Sequence, residues 1–328
     1  MRAVIVDESN PHRNLTVREI PTPAPRPNEV LIKVAAAGVN RADIHQRFGS
    51  YPPPIGAPEW LGLECSGTIE AVGDEVTNFE IGDRVSALLS GGGYAELAIA
   101  NAGQVFRVPD SVDLIAAAGL PEALATVWSN VFLKAGLRKG QTLLVHGGSS
   151  GIGTTAIQLA RAIGAQVAVT AGTDEKLEAC HALGAEILVN YREQEFVSEV
   201  LHATRNVGAD VILDSIGGPY LNRNIEALAR NGTIILISNQ SGEIAELNIG
   251  RLMAKWGTIY GSTLRARPDS EKNEVFAAII SDVLPLIAIG SVRPVIDSTF
   301  SFEDAAKAHE RMESSEHVGK ILLVPDVH

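Results

Sequence analysis

Residues 143–153 read Leu-Leu-Val-His-Gly-Gly-Ser-Ser-Gly-Ile-Gly, an apolar run stopped by glycines and followed by helix-forming residues. A strand that turns sharply into a helix is the reading. Glycines let the main chain reverse and approach a ligand closely, while free N–H groups and the helix dipole attract a pyrophosphate. The spacing Gly148-x-x-Gly151-x-Gly153 is one variant of the dinucleotide fingerprint, and Gly148, Ser149, Ser150, Gly151, Ile152 and Gly153 form the candidate cradle. The competing reading is a glycine-rich connection that holds no ligand.

The surrounding texture weighs against that competitor. Short apolar runs near 142–145, 166–170, 186–189, 210–213, 233–237 and 258–262 alternate with helix-length segments near 151–163, 174–183, 193–202 and 220–229. This alternation predicts an α/β fold with a doubly wound parallel sheet of six strands. Ahead of it, β-type runs near 3–6, 30–34, 67–72, 84–88 and 94–99, separated by Pro, Gly and Asn, predict a compact β-rich domain. After Pro268, helices near 271–287 and 302–312 and a strand at 319–324 are expected to return to that first domain. The expected division is therefore 1–124 with 267–328, and 125–266, which suits 328 residues.

Composition narrows the partners. Lys and Arg number 27 against 39 Asp and Glu, a net charge of −12, which repels nucleic acid and anionic membrane surfaces. No apolar run approaches the roughly 18 residues of a membrane span. Cys65 and Cys180 are too far apart in sequence for a zinc ribbon or a disulfide framework, so a reducing, cytoplasmic setting is expected.

The string Gly-Gly-Ser-Ser-Gly-Ile-Gly also resembles the nucleotide turn of short-chain dehydrogenases, which need a Tyr-x-x-x-Lys pair. Four residues beyond the five tyrosines stand Ile55, Ala98, Glu195, Asn224 and Leu264. No such pair exists, and that reading falls. The choice of nicotinamide cofactor rests on the tip of the second strand, where an acidic residue would hold a free ribose 2′-hydroxyl. Here stand Ala171, Gly172 and Thr173, small and neutral, with Lys176 a helical turn on and Tyr191 after the next strand. NADPH is the expected cofactor. Asp174 and Glu175 either serve the helix N-terminus or repel a phosphate.

Motifs in order along nearly the whole chain resemble the zinc-free quinone oxidoreductases of the zeta-crystallin type, within the medium-chain dehydrogenase/reductase superfamily. They are Ala37-Gly38-Val39-Asn40-Arg41-Ala42-Asp43, Gly49-x-Tyr51-Pro52, Gly62-Leu63-Glu64-Cys65-Ser66-Gly67, Val72-Gly73, Gly82-Asp83-Arg84-Val85, Gly92-Gly93-Tyr94-Ala95-Glu96, the Gly148 turn, Asn190-Tyr191 and Gly319-Lys320-Ile321. The resemblance implies a GroES-like catalytic domain interrupted by a Rossmann domain, an active site in the cleft between them, and a homodimer, with a tetramer as the alternative. Zinc-dependent relatives place Cys where Asn40 stands and His where Leu63 stands; asparagine is a poor zinc ligand and leucine is none. Without a Lewis acid the acceptor should be intrinsically easy to reduce. A quinone is the first expectation, an α,β-unsaturated carbonyl the second, and a non-enzymatic NADPH-binding scaffold or sensor the third.

By the same resemblance Asn40 and Asp43 lie below the nicotinamide, Tyr51 lines the acceptor pocket and polarises its oxygen, and Thr126 marks entry into the cofactor domain. For Asn40 the competing role is a turn residue bonding the backbone; for Tyr51 it is a rim aromatic that only shapes the pocket. Ser238, Asn239, Leu264 and Arg265 complete the expected cofactor contacts, with the acceptor or exposure to solvent as the alternatives for Arg265. His146 reads as a buried, satisfied imidazole, and Cys180 as packing within a helix.

Overall fold

Two sheets of different character organise the described residues, which are 1–242 and 244–325 of this computed structural model. Strand β1 (Arg2–Val6) pairs antiparallel with β2 (Leu15–Glu19). The long β3 (Glu29–Val39) leads into helix α1 (Arg41–Arg47), followed by β4 (Glu64–Val72), β5 (Arg84–Leu88), β6 (Leu97–Asn101), β7 (Val105–Arg107) and helix α2 (Pro121–Val127). Next come β8 (Thr142–His146), α3 (Gly151–Ala162), β9 (Gln166–Ala171), α4 (Asp174–Leu183), β10 (Ile187–Asn190), α5 (Phe196–Ala203), β11 (Ala209–Asp214), α6 (Leu221–Ala227), β12 (Leu228–Leu236), α7 (Ile249–Lys255) and β13 (Thr258–Gly261). The chain ends with α8 (Asp269–Ala278), α9 (Leu284–Ala288), β14 (Ile296–Ser301), α10 (Ala305–Glu313) and β15 (Lys320–Val324). Contacts divide it into two compact units, Met1–Ala125 with Arg265 onward, and Thr126–Leu264.

The second unit is built on a parallel sheet in the order β10-β9-β8-β11-β12-β13. Its strands are almost wholly apolar because helices cover such a sheet on both faces. One face buries Leu144, Ala168, Ile212 and Ile234 against Phe196, Val200 and Ile225 of the helices. Strand order reverses between β8 and β11, and ligands of open α/β sheets bind outside the carboxyl ends at such a switch point. The glycine turn after β8 lies there.

In the first unit the order is β14-β15-β3-β4-β5-β7, with β6 also on β3. Register gathers three polar residues at one edge. Ala37 of β3 faces Cys65 of β4, and Val39 faces Ile321 of β15. Asn40, Glu64 and Lys320 therefore emerge at the same end of three neighbouring strands.

Differences from the sequence reading have local causes. Strand β3 runs on to Val39, and β2, β7 and β14 were not anticipated. The helix expected at 271–287 is three pieces, α8, a widened turn Ile279–Val283 and α9; Pro285 cannot donate to the preceding turn and its ring clashes with it. Helix α5 starts at Phe196 rather than near 193 because Gln194 folds back to accept from the Asn190 amide at 3.0 Å and Glu195 caps the Ser198 amide at 3.1 Å.

Candidate active site

The turn after β8 has the form of an anion cradle. Gly147 adopts φ +74°, a left-handed conformation that suits glycine. A side chain on Gly148 would run into Val169, and one on Gly153 into the carbonyls of Gly147 and Gly148. Ser150 is the N-cap of α3, its hydroxyl oxygen accepting from the Gly153 amide at 3.0 Å. The amides of Gly151 and Ile152 have no partner among the described residues and head the helix. These residues fit a dinucleotide's pyrophosphate.

His146 steadies this end of the sheet. Asn224 Nδ2 donates to Asp214 Oδ2 at 2.8 Å, so its Oδ1 faces His146 Nε2 at 2.7 Å, which must carry the proton. Nδ1 then accepts from the Thr170 hydroxyl at 3.1 Å. Burial holds the imidazole pKa below its ordinary value. Asp214 Oδ1 accepts from the amides of Ile216 (2.6 Å) and Gly217 (3.1 Å), fixing the loop after β11. Gly217 in turn packs against Ser238 and Asn239.

At the tip of β9, Thr173 caps α4 by accepting from the Lys176 amide at 3.4 Å. Asp174 accepts from Asn190 Nδ2 at 3.2 Å, and Glu175 bonds its own amide and the Thr173 side chain, which lowers its pKa. Both acids serve the helix start. The Tyr191 hydroxyl and the Arg192 guanidinium lie so close to Gly172 that a side chain there would meet both. Arg192 was absent from the sequence reading; its place directly after Tyr191 was the available signal. Thr126 opens this unit as a buried residue whose carbonyl accepts from Asn130 Nδ2 at 2.8 Å, while Asn130 Oδ1 accepts from the Ser262 hydroxyl at 2.7 Å.

In the first unit the strand ends carry a buried polar network. Lys320 Nζ sits 2.5 Å from Glu64 Oε1 and donates to Asn40 Oδ1 at 2.7 Å. Asn40 Nδ2 donates to Glu64 Oε1 at 2.9 Å, and Glu64 Oε2 accepts from the Glu122 amide at 2.9 Å. Both ends of the Asn40 side chain are thus held inside the protein. Asp43, fully buried, accepts from the amides of Asn40 (2.8 Å) and Gly62 (3.0 Å) and from the Tyr94 hydroxyl (3.3 Å). Burial raises its pKa to about 6, against the pull of the two amides. The Tyr94 hydroxyl also lies 3.3 Å from Nε2 of His309, whose pKa burial depresses to about 3.

Arg265 also belongs to this unit and is 7% exposed, which removes the solvent-exposed alternative. Its guanidinium donates to the Ser90 carbonyl at 2.8 and 2.6 Å and covers the Tyr51 ring at 5.4 Å. Leu264, next to it, is buried. The Tyr51 hydroxyl makes no hydrogen bond among the described residues, and burial raises its pKa.

Comparison with known proteins places the chain. Residues 26–110 match the family described as "Alcohol dehydrogenase GroES-like domain" and residues 151–281 that described as "Zinc-binding dehydrogenase". The chain is 34% identical to a human quinone oxidoreductase over 99% of its own length and 98% of the relative's. It belongs to the quinone oxidoreductase branch of the medium-chain dehydrogenase/reductase superfamily. Among solved structures of this fold, an Escherichia coli quinone oxidoreductase complexed with NADPH superposes with a TM-score of 0.85 at 28% identity, covering 99% of each chain. A mycobacterial protein complexed with NADPH gives 0.87 at 29% identity, covering 99% of this chain and 100% of the other.

Membership makes the chain an oxidoreductase. Glu64 and Lys320 lie inside motifs legible in the sequence, yet their pairing was not foreseen, because contact across 256 positions depends on strand register. Glu122, Asp214 and Asn224 carried no motif at all. Cys65 and Cys180 are both buried, and burial raises both thiols, Cys180 to about 12; neither is poised as a thiolate. Among the described residues no group of three or more His, Cys, Asp or Glu is placed to hold a metal ion.

Lys320→Met should destabilise the protein by roughly 3–5 kcal/mol in denaturant titrations, since it strands the Glu64 carboxylate in the interior. Asp43 gives a pH signature. It loses its proton near 3.8 when unfolded and near 6 when folded, so its stabilising contribution is complete below 3.8 and fades as pH rises through 6. Asp43→Asn, which cannot titrate, should therefore lag wild type most at pH 4 and least at pH 7, the gap narrowing by up to about 3 kcal/mol.

Proposed function

We propose that this oxidoreductase reduces quinones with NADPH and without a metal ion. The observation that carries the reading is the donor set at the two positions where zinc-dependent relatives have Cys and His. Asn40 has both ends of its side chain committed to Lys320 and Glu64, and Leu63 is a buried aliphatic group. No Lewis acid is then available to polarise an alcohol or a simple carbonyl. The acceptor must already be electrophilic, and a quinone meets that demand.

The second unit supports the coenzyme part. Gly148 to Gly153 would take the pyrophosphate, and Ser238 and Asn239, packed by Gly217, lie at the same carboxyl edge. With Asp174 and Glu175 engaged at the start of α4, the adenosine 2′-phosphate would be received by Tyr191, Arg192 and Lys176 around Gly172. Bound there, reduced nicotinamide supplies a hydride. Two similar proteins are complexed with NADPH, which supports the choice of coenzyme.

In the first unit Asp43 and Asn40 act as positioning residues, because every polar atom they offer is engaged internally. Tyr51 differs. Its ring is clamped under Arg265, while its hydroxyl is uncommitted and, with its pKa raised, stays protonated as a donor to an acceptor oxygen. Arg265, expected at the coenzyme or the acceptor, is read here as the support of Tyr51.

Steady-state oxidation of NADPH and NADH with 1,4-benzoquinones and alkenals tests the reading. Turnover should be fastest with NADPH and a quinone. Alkenal turnover alone would move the assignment to enone reduction, and NADPH binding with no oxidation by any acceptor would make the protein a nucleotide-binding scaffold. Arg192→Glu should raise KM for NADPH by about tenfold or more while leaving KM for NADH nearly unchanged, as a charge-assisted contact to phosphate is lost.

A further inference from the structure

One run of hydrogen bonds in the second unit points a single way, from the glycine turn to the loop after β11. The Gly147 amide donates to Thr170 Oγ1 at 3.4 Å, and the Thr170 hydroxyl donates to His146 Nδ1 at 3.1 Å. His146 Nε2–H donates to Asn224 Oδ1 at 2.7 Å, and Asn224 Nδ2–H to Asp214 Oδ2 at 2.8 Å. The other Asp214 oxygen takes the amides of Ile216 and Gly217.

Asp214 fixes the sense of the run. A carboxylate only accepts, so Asn224 turns its NH2 to Asp214 and its oxygen to His146; the imidazole then carries its proton on Nε2 and accepts at Nδ1. Thr170 Oγ1, its proton given to His146, keeps a lone pair for Gly147. None of these side chains is more than 2% exposed, so solvent cannot relieve a mismatched link. Phe196 and Tyr220 hold the His146 ring edge-on, with centroids 4.8 and 4.9 Å away.

The run joins two walls of one crevice. Gly147 opens the turn after β8, Ile216 and Gly217 follow β11, and strand order reverses between those strands. A side chain on Gly147 would begin 3.7 Å from Ser215 Oγ, and Gly217 packs against Ser238 and Asn239. Asn224 makes no bond to either loop among the described residues, yet both depend on which way its amide points.

We propose that Asn224, together with Asp214, is a positioning residue for the coenzyme: by setting the sense of this run it holds the pyrophosphate turn and the loop after β11 in register with each other. The proposal rests on the coenzyme assignment above and is independent of the acceptor.

Exchanging the two side chains separates sense from shape. Asn224→Asp alone sets two carboxylates face to face. Asp214→Asn alone reverses the run, because its oxygen must still take the Ile216 and Gly217 amides; Asn224 then turns over, the His146 proton moves to Nδ1, and Thr170 Oγ1 is crowded by a second donor. With Asn224→Asp and Asp214→Asn combined, every link can form again. Read by coenzyme fluorescence, each single variant should bind NADPH and NADH alike about tenfold more weakly, unlike Arg192→Glu, and the combined exchange should recover most of that loss. Without coenzyme, NMR of 15N-labelled histidine should show His146 as the neutral Nε2–H tautomer in the wild type and the combined exchange, and as Nδ1–H in Asp214→Asn. Folded single variants with wild-type affinity, a combined exchange no better than either single one, or a wild-type His146 protonated on Nδ1 would each overturn the positioning role alone. Should a single variant fail to fold, the combined exchange and the wild-type tautomer decide. A wild-type protein that binds neither coenzyme would instead overturn the coenzyme assignment, and the positioning role with it.

Discussion

The ion pair between Lys320 and Glu64 holds the first unit's site together. Taking both charges out of water costs several kcal/mol per ion, and only close, well-bonded geometry offsets that cost. Here the geometry is supplied by three strands. β4 presents Glu64, β15 presents Lys320, and β3 hands over Asn40, which bonds both. Gly38 is part of the same arrangement, since a side chain at that position would occupy the space crossed by the Glu64 carboxylate. The pair also acts on the groups around it: burial raises the pKa of Glu122 and of Asp43, Glu64 adds to both shifts, and Lys320 opposes them.

The second unit works by different physics. Its cradle has no charge of its own and depends on main-chain amides at a helix start, which requires glycines where close packing leaves no room for a side chain. The His146–Asn224–Asp214 chain ties the ends of β8 and β11 and the first turn of α6 into one rigid edge. Burial favours the uncharged imidazole there, so His146 itself brings no charge to the edge it orders.

Local signals were legible in the sequence, and signals that depend on register were not. The turn Gly148 to Gly153, the six parallel strands and α4 from Asp174 to Leu183 follow from periodicity and caps within a short window. The motif around Asn40 and the one around Lys320 were visible separately. Nothing in a one-dimensional reading shows that Val39 faces Ile321, and so nothing shows that the two motifs share a carboxylate. Arg265 illustrates the same limit, because its sequence neighbours left coenzyme, acceptor and solvent all open, whereas folding buries it over Tyr51.

Electron transfer to a quinone without any metal ion is the central claim. Its most direct test is the single-turnover oxidation of bound NADPH by 1,4-benzoquinone in protein stripped by chelation, with residual metal counted by mass spectrometry. Complete oxidation at an undiminished rate is the predicted result in metal-free protein. A rate that collapses on stripping and returns only with a stoichiometric metal ion would contradict it.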